Sequence, residues 1–232
     1  MINRNLAYFC IIASCLLTAI LIIFPQADIG FNELFYEKEH GFIYKENPFV
    51  DFLFLSVPIL TKYFLILLCF ILAYQITRYR DLRIVIKSYT IYLLISAAIG
   101  PGLIVNYIFK ENFYRARPSQ IEYFNGSKNF SQAFIISDQC DTNCSFSSGH
   151  AAMGYYFTAI AYALVIARKN KPRNNNLKRN FTLLYLAGIL FGSMVGLSRI
   201  LMGRHFLSDV STSCAIVLII NHLLYECWKK IK

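Results

Sequence analysis

Charged residues are scarce in this chain, and acidic residues are fewer than basic ones. Only 16% of the 232 residues are charged, with 13 Asp and Glu against 23 Lys and Arg, whereas 56% are hydrophobic. A soluble domain of this length does not need so many long apolar runs. The composition argues against an ordinary soluble protein and predicts one integral membrane domain over residues 1–232, without a separate soluble module.

The formal net charge of +10 raises the question of nucleic-acid binding. The basic residues, however, cluster in short connections between apolar segments, which is the positive-inside pattern of membrane proteins. We therefore expect a membrane as a partner of this chain, and no nucleic acid.

Six hydrophobic segments predict an all-α fold with six transmembrane helices. Each has about 18–26 residues, enough to cross about 30 Å of hydrocarbon. Their approximate ranges are 7–24, 59–76, 84–109, 148–167, 181–201 and 205–228, and Gly100-Pro101-Gly102 interrupts the third. Between the first two, residues 30–51 mix apolar and charged side chains, which we interpret as an amphipathic segment at the membrane interface. A plain loop is the alternative.

The distribution of Lys and Arg predicts the orientation in the membrane. Most basic residues outside the motifs lie at the chain ends and in the connections after the second and fourth segments: Arg4, Arg78, Arg80, Arg83, Lys87, Arg168, Lys169, Lys171, Arg173, Lys178, Arg179, Lys229, Lys230 and Lys232. This side is therefore expected to be cytoplasmic, together with both termini. The remaining connections then face the outside.

Three polar groups lie at the edges of hydrophobic segments. They are Lys110 with Arg117-Pro118, then Ser148-Gly149-His150, and then Ser198-Arg199 with His205 and Asp209. An ionisable residue at a membrane boundary is costly unless a function requires it. Cations, histidines and one carboxylate in this combination predict an anion site at the membrane surface, most simply a site for phosphate.

His205 and Asp209 are four residues apart and share one face if the chain is helical there. Asp209 can then accept a hydrogen bond from Nδ1–H of His205, which leaves Nε2 as a nucleophile or base. The pair by itself has a second interpretation, because a carboxylate in the first turn of a helix complements the helix dipole.

Lys110, Arg117 and Arg199 suit phosphoryl transfer, because fixed cations stabilise the negative charge on the transferred group. Taken singly, Lys110 also fits a snorkelling anchor and Arg117 a solvated loop residue. Arg115 and Arg204 are predicted to be surface or headgroup contacts.

Ser148-Gly149-His150 opens the fourth segment, where the free N–H groups of a helix start can bind an anion. Ser148 adds a hydroxyl donor, and His150 is placed to act as a general acid. The alternative for His150 is an interfacial histidine without a role, which is also our expectation for His40 and His222.

The order and spacing of these three groups resemble the signature of the type 2 phosphatidic acid phosphatase superfamily, which also includes vanadium haloperoxidases. The resemblance covers about residues 100–220, and one departure is Ser147, where many members have Pro. It implies that His205 is a nucleophile oriented by Asp209 and that His150 is the general acid. It also implies phosphate binding, without a metal or other cofactor, by Lys110, Arg117, Ser148, Gly149 and Arg199.

A narrower resemblance is to bacterial lipid A 4'-phosphatases of this superfamily. It rests on IGPGLIVNYIFK at 99–110, FNG at 124–126 and QCDTNCSF at 139–146. It implies a periplasmic site that acts on lipid A, or another anionic phospholipid, at the inner membrane.

Other functions stay open. Within the superfamily, an undecaprenyl diphosphate phosphatase and a phosphatidylglycerophosphate phosphatase are alternatives. An anion or lipid transporter would place charges deep inside several spans, whereas here they gather at one boundary. A haloperoxidase is disfavoured because the chain has no soluble halves. The sequence does not predict an oligomeric state.

Two of the seven cysteines lie in a polar loop, and the other five lie in or at the ends of apolar segments. Cys140 and Cys144 are predicted to form a disulfide if their loop faces an oxidising compartment. Two free thiols are the alternative. A zinc site is not expected, since no second ligand pair lies nearby.

Overall fold

The computed structural model describes residues 3–79, 81–86, 88–168 and 176–230. Several of the basic residues used to predict the orientation lie outside the described residues: Arg80, Lys87, Lys169, Lys171, Arg173 and Lys232. The helices are α1 (Arg4–Ile23), α2 (Gln26–Glu33), α3 (Pro48–Arg78), α4 (Leu82–Ile86), α5 (Tyr89–Ala97), a π-helical segment (Ala98–Lys110), α6 (Gly149–Tyr156), α7 (Ala159–Ala167), α8 (Leu177–Leu201) and α9 (Leu207–Lys230). Two short strands, β1 (Tyr36–Glu37) and β2 (Gly41–Phe42), form an antiparallel hairpin.

In the described part of the chain, six helical units are long and apolar enough to cross a membrane, which confirms the predicted fold class. They are α1, α3, α5 continued by the π-helical segment, α6 continued by α7, α8 and α9. Their outward faces leave large apolar side chains exposed, such as Phe9 at 69% and Phe70 at 70%. In lipid these faces need no polar partner, because helices satisfy their own backbone groups.

The second span begins earlier than predicted, at Pro48 rather than near residue 59. Asn47 caps α3 by accepting hydrogen bonds from the N–H groups of Phe49 and Val50, at 3.0 and 3.3 Å. Proline suits the first helical position because its missing N–H would be unpaired there anyway. Asp51 and Pro58 interrupt the hydrophobic run at the start of this helix, so hydrophobicity alone predicts a later start.

Residues 30–51 form regular structure over much of their length rather than a plain loop. The first residues of this segment complete α2, and the hairpin follows, with Tyr36 opposite Phe42. The Phe42 ring packs on Phe124 with centroids 5.3 Å apart. Tertiary packing therefore folds this segment onto the connection between the third and fourth spans.

Two apolar cores hold the molecule together. The larger core lies among the spans and buries several tyrosines, whose hydroxyl groups need partners. Tyr92 donates to the Asn221 carbonyl at 2.9 Å, and Tyr156 donates to the Leu93 carbonyl at 3.0 Å. The smaller core joins α2, the hairpin, the connection over residues 111–148 and the residue just before α9: Ile29, Phe42, Ala116, Ile121, Phe124 and Phe206.

Helices α6 and α8 approach each other closely through glycine. A Cβ atom at Gly154 would lie 2.8 Å from Cα of Gly192, and a Cβ atom at Gly192 would lie 2.3 Å from Cδ1 of Tyr155. Small residues at such contacts let membrane helices pack backbone against backbone.

We predict that Gly192→Ala destabilises the protein by about 1–3 kcal/mol, because the Tyr155 ring must move to admit the methyl group. Thermal unfolding in detergent measures this change. Gly30→Ala is the matched control, since a Cβ atom there meets nothing within 4 Å. Equal melting temperatures for the two variants would contradict the close packing.

Candidate active site

The three predicted polar groups meet at one end of the helical bundle. Lys110 ends the π-helical segment, Gly149 begins α6, Arg199 lies in the last turn of α8, and Asp209 lies in the first turn of α9. Successive antiparallel spans bring these ends together. The connection over residues 111–148 contributes Arg115, Arg117 and Ser145 to the same place.

His205 lies just before α9, and its side chain is only 1% exposed. Nδ1 of His205 is 3.4 Å from Oδ2 of Asp209. This distance is longer than an ordinary hydrogen bond, so the contact is mainly electrostatic. The contact nevertheless orients Nδ1 of His205 toward the carboxylate. Catalytic hydrogen bonds of this kind commonly shorten when substrate binds.

The His205 imidazole is neutral at neutral pH. Burial lowers its pKa to about 3, against the opposing effect of Asp209, while Arg199 and Lys110 lower it further. An unprotonated ring whose Nδ1–H faces Asp209 keeps a lone pair on Nε2. A neutral imidazole with that lone pair is the state required of a nucleophile.

The Asp209 carboxylate is held by more than His205. Its Oδ1 accepts from Nη1 of Arg115 at 2.5 Å. Its Oδ2 accepts from the Ser145 hydroxyl at 2.5 Å and from the Phe206 N–H at 2.8 Å. A buried carboxylate with several charge-assisted hydrogen bonds stays ionised and fixed in position.

The prediction of Arg115 as a surface contact is wrong, because its side chain is 1% exposed. The guanidinium lies between two carboxylates, with Nη2 2.9 Å from Oδ2 of Asp28 and Nη1 in contact with Asp209. It also lies 4.2 Å above the centre of the Phe206 ring. The sequence around Arg115 does not reveal this burial, because both carboxylate partners are distant from Arg115 in the chain.

Helix α2 supplies two further residues that the sequence did not reveal. Asp28 accepts from the Ser208 N–H at 2.8 Å and from its hydroxyl, and so caps the start of α9. Asn32 donates to the His205 carbonyl at 3.4 Å. Burial raises the pKa of Asp28, while the charge of Arg115 opposes that shift. The sequence did contain a signal for these two residues, because Asp28 and Asn32 are four residues apart and therefore share one face of a helix.

Lys110, Arg117 and Arg199 lie close enough for their charges to interact. Arg199 is almost fully buried over the Phe54 ring at 4.4 Å, and its Nε has no hydrogen-bond partner among the described residues. Burial lowers the pKa of Arg117, and the charge of Arg204 adds to this effect. Within the described part of the chain, none of the three cations forms an ion pair with a carboxylate.

Ser148, Gly149 and His150 form the start of α6. The Ser148 Oγ accepts from the Ala151 N–H at 3.4 Å, and the Ser148 N–H donates to the Asp209 carbonyl at the same distance. A Cβ atom at Gly149 would lie 2.4 Å from Oδ1 of Asn106. His150 is half-buried, with its ring 5.0 Å from Phe54 and within the field of the three cations.

Cys140 and Cys144 are joined in a disulfide, with a Cα–Cα distance of 5.7 Å. The loop that they close includes Asn143, whose carbonyl accepts from Nε and Nη2 of Arg117 at 3.0 and 2.5 Å. This loop therefore holds the Arg117 guanidinium in place through its backbone.

The remaining histidines lie apart from this cluster. Nδ1 of His40 is 3.3 Å from Glu37 on the surface, and His222 pairs with the Tyr162 hydroxyl at 3.0 Å. Over residues 3–79, 81–86, 88–168 and 176–230, the structure contains no group of three or more His, Cys, Asp or Glu side chains that could hold a metal ion.

The arrangement is suited to binding a multiply charged anion next to a neutral imidazole. Three cations and the N–H groups of a helix start converge on one place, and the buried donor of Arg199 needs an acceptor there. A phosphoryl group supplies several acceptor oxygens, and Arg binds such groups through paired donors.

Comparison with known proteins found a matching family and several relatives. Residues 88–232 match the PAP2 superfamily. The chain is 36% identical over 203 residues to a lipid A 4'-phosphatase of Francisella tularensis subsp. novicida (strain U112), a match that covers 86% of this chain and 85% of that protein. A lipid A 4'-phosphatase of Rhizobium leguminosarum is 34% identical over 113 residues, which cover 48% of this chain and 43% of that one.

A solved structure has the same fold. The crystal structure of a transmembrane PAP2 type phosphatidylglycerolphosphate phosphatase from Bacillus subtilis aligns with a TM-score of 0.61. The alignment covers 97% of each chain at 19% sequence identity. At this identity the likeness concerns the fold alone.

We predict that Arg115→Met destabilises the protein by about 3–5 kcal/mol, because two buried carboxylates lose their shared cation. Adding Asp28→Asn to Arg115→Met should recover part of this loss, since it removes one unpaired charge. Thermal unfolding of the wild type, both single variants and the double variant measures the coupling. A double variant less stable than Arg115→Met alone would contradict the ion cluster.

Proposed function

The chain belongs to the PAP2 superfamily and is a membrane lipid phosphatase, and we propose that it removes a phosphate monoester from lipid A through a phosphohistidine on His205. The reaction takes place at the periplasmic face of the bacterial inner membrane and needs no metal ion.

One observation carries the proposal: the buried Arg199 has an unpartnered Nε beside Lys110 and Arg117. Burying an unsatisfied charged donor is costly unless a ligand completes it. The three cations also supply the positive charge that a metal ion provides in other phosphatases.

In the first step, Nε2 of His205 attacks phosphorus while the bond from phosphorus to the lipid oxygen breaks. The proton of His150 passes to that leaving oxygen, so that the dephosphorylated lipid departs as an alcohol. Asp209 stabilises the positive charge that develops on the His205 ring. Lys110, Arg117, Arg199, Ser148 and the Gly149 N–H bind the oxygens of the transferred group.

In the second step, water attacks the phosphohistidine. His150, now neutral, takes a proton from the water as its oxygen bonds to phosphorus and the phosphorus–nitrogen bond breaks. Inorganic phosphate leaves, the electron pair returns to Nε2, and His150 is protonated again for the next substrate.

The relatives support lipid A as the substrate. The Francisella protein, a lipid A 4'-phosphatase, matches along most of both chains. A lipid substrate also fits a site at the ends of the spans, where headgroups lie.

The basic residues support the sidedness. Among the described residues, Arg4 at the start of α1 pairs with Glu226 near the end of α9 at 3.3 Å, and Arg78 ends α3. These ends of the helices lie opposite the candidate active site. By the positive-inside rule that end faces the cytoplasm, so His150 and His205 face the periplasm.

We predict that the purified protein releases phosphate from lipid A and that His205→Ala lowers the rate at least about a thousandfold, because it removes the nucleophile. His150→Ala should also abolish turnover, and Asp209→Asn should cost less than His205→Ala. Phosphate release in detergent micelles measures these rates, with undecaprenyl diphosphate and phosphatidylglycerophosphate as competing substrates.

His222→Gln is the matched control, since His222 lies ~22 Å further along α9 than Leu207. The His222→Gln variant should retain turnover. The wild-type protein should retain turnover in EDTA. Preference for either competing lipid would reject lipid A as the substrate. Normal turnover by folded His205→Ala would reject the phosphohistidine, and loss of activity in EDTA would reject the metal-independent mechanism.

For sidedness, we predict that alkaline phosphatase fused after Gly126 is active in cells and that the same enzyme fused after Asn175 is inactive. Alkaline phosphatase folds only in an oxidising compartment, because it needs its disulfides. Matched amounts of the two fusions are compared by immunoblot. The reverse pattern of activity would contradict the periplasmic site.

A further inference from the structure

A cavity lies beside the candidate active site, between the hairpin and the residues just before His205. Its volume is about 370 Å³, which is within the usual range of ligand pockets, about 300–1,000 Å³. Its polar lining includes Lys38, His40, Lys45, Asn125 and Arg204. No carboxylate among the described residues contributes to the lining.

The walls of this cavity are tied to the active site by hydrogen bonds. The Ser119 N–H donates to the Gly203 carbonyl at 2.9 Å, and the Arg204 N–H donates to the Arg199 carbonyl at 3.0 Å. Asn125 Nδ2 donates to the Lys38 carbonyl at 3.3 Å and so joins the hairpin to the connection over residues 111–148. Arg204 directly precedes His205, and consecutive Cα atoms are about 3.8 Å apart.

The charge of the cavity is largely unbalanced. His40 has a carboxylate neighbour in Glu37, but Lys38, Lys45 and Arg204 form no ion pair with any described residue. Arg204 also acts electrostatically on Arg117 and Arg199 in the phosphate site. One positive field therefore extends from the candidate active site into the cavity.

We propose that this cavity binds a second phosphate group of the substrate headgroup while the first phosphate is held at His205. Lys provides a compact charge for a phosphate oxygen, and Arg204 provides paired donors. The inference rests on the proposed function and deepens it: the preferred substrate is a saccharide lipid that carries two phosphates. Residues 36–45 lie outside the PAP2 match at residues 88–232, so the hairpin acts in substrate selection rather than in the shared chemistry.

The first test compares two substrates that share the scissile phosphate: lipid A with both phosphates, and lipid A without the remote one. In micelles of neutral detergent, wild-type kcat/KM should be roughly tenfold higher for the bisphosphorylated lipid, mainly through KM. Lys38→Gln/Lys45→Gln should remove most of this preference. Lys128→Gln is the matched control, because Lys128 lies on the same side but outside the cavity, and it should keep the preference.

Two results would overturn the proposal. One is a Lys38→Gln/Lys45→Gln variant whose activity falls by the same factor on both lipids, or falls on neither lipid. The other is a wild-type preference that disappears when phosphatidylglycerol is added to the micelles, which would identify a neighbouring phospholipid headgroup as the occupant of the cavity.

A binding measurement separates this proposal from the proposed function. Native mass spectrometry of detergent-solubilised His205→Ala should detect more bound bisphosphorylated than monophosphorylated lipid A, and Lys38→Gln/Lys45→Gln in that background should equalise them. If the wild type does not hydrolyse lipid A but the binding preference depends on the two lysines, the cavity assignment stands and the proposed function fails. Equal binding of the two lipids to His205→Ala overturns the cavity assignment.

Discussion

The buried ion cluster of Asp28, Arg115 and Asp209 is the constraint on which the candidate active site depends. Its two carboxylates and one guanidinium are almost fully shielded from solvent. Buried charges are tolerated only when each has partners of good geometry. Here the partners come from α2, the connection over residues 111–148 and α9, so correct pairing requires all three to be in place. The same contacts fix Asp209 and the chain at His205.

Beside this ion cluster lie cations that form no ion pair with any carboxylate in the described residues. Arg199 is buried over Phe54 with an unpaired donor, and Arg117 is held by the Asn143 carbonyl rather than by an acid. Their mutual repulsion disfavours the empty site, and a bound dianion relieves it. The ion cluster fixes the geometry of the site, and the unpaired cations provide affinity for the anion.

Much of the fold and of the candidate site was predictable because the relevant signals are local. Long apolar runs predict spans directly, since a helix in lipid must satisfy its own backbone. The spacing of Lys110, Arg117, His150, Arg199, His205 and Asp209 selected residues that the structure brings to one end of the bundle. The start of α3 was missed because Asp51 and Pro58 interrupt its hydrophobicity, although Asn47 and Pro48 are ordinary start signals.

The sequence by itself determined the six spans, the order of the polar groups and the distribution of basic residues, because each depends on residue type and short spacing. Only the tertiary structure decided the role of Arg115, which pairs with Asp28, 87 positions away, and with Asp209, 94 positions away. It also placed Lys38 and Lys45 beside Arg204. A pairing between distant segments leaves no periodic pattern in the chain, because it exists only when the packing of the helices brings both segments to the same end of the bundle.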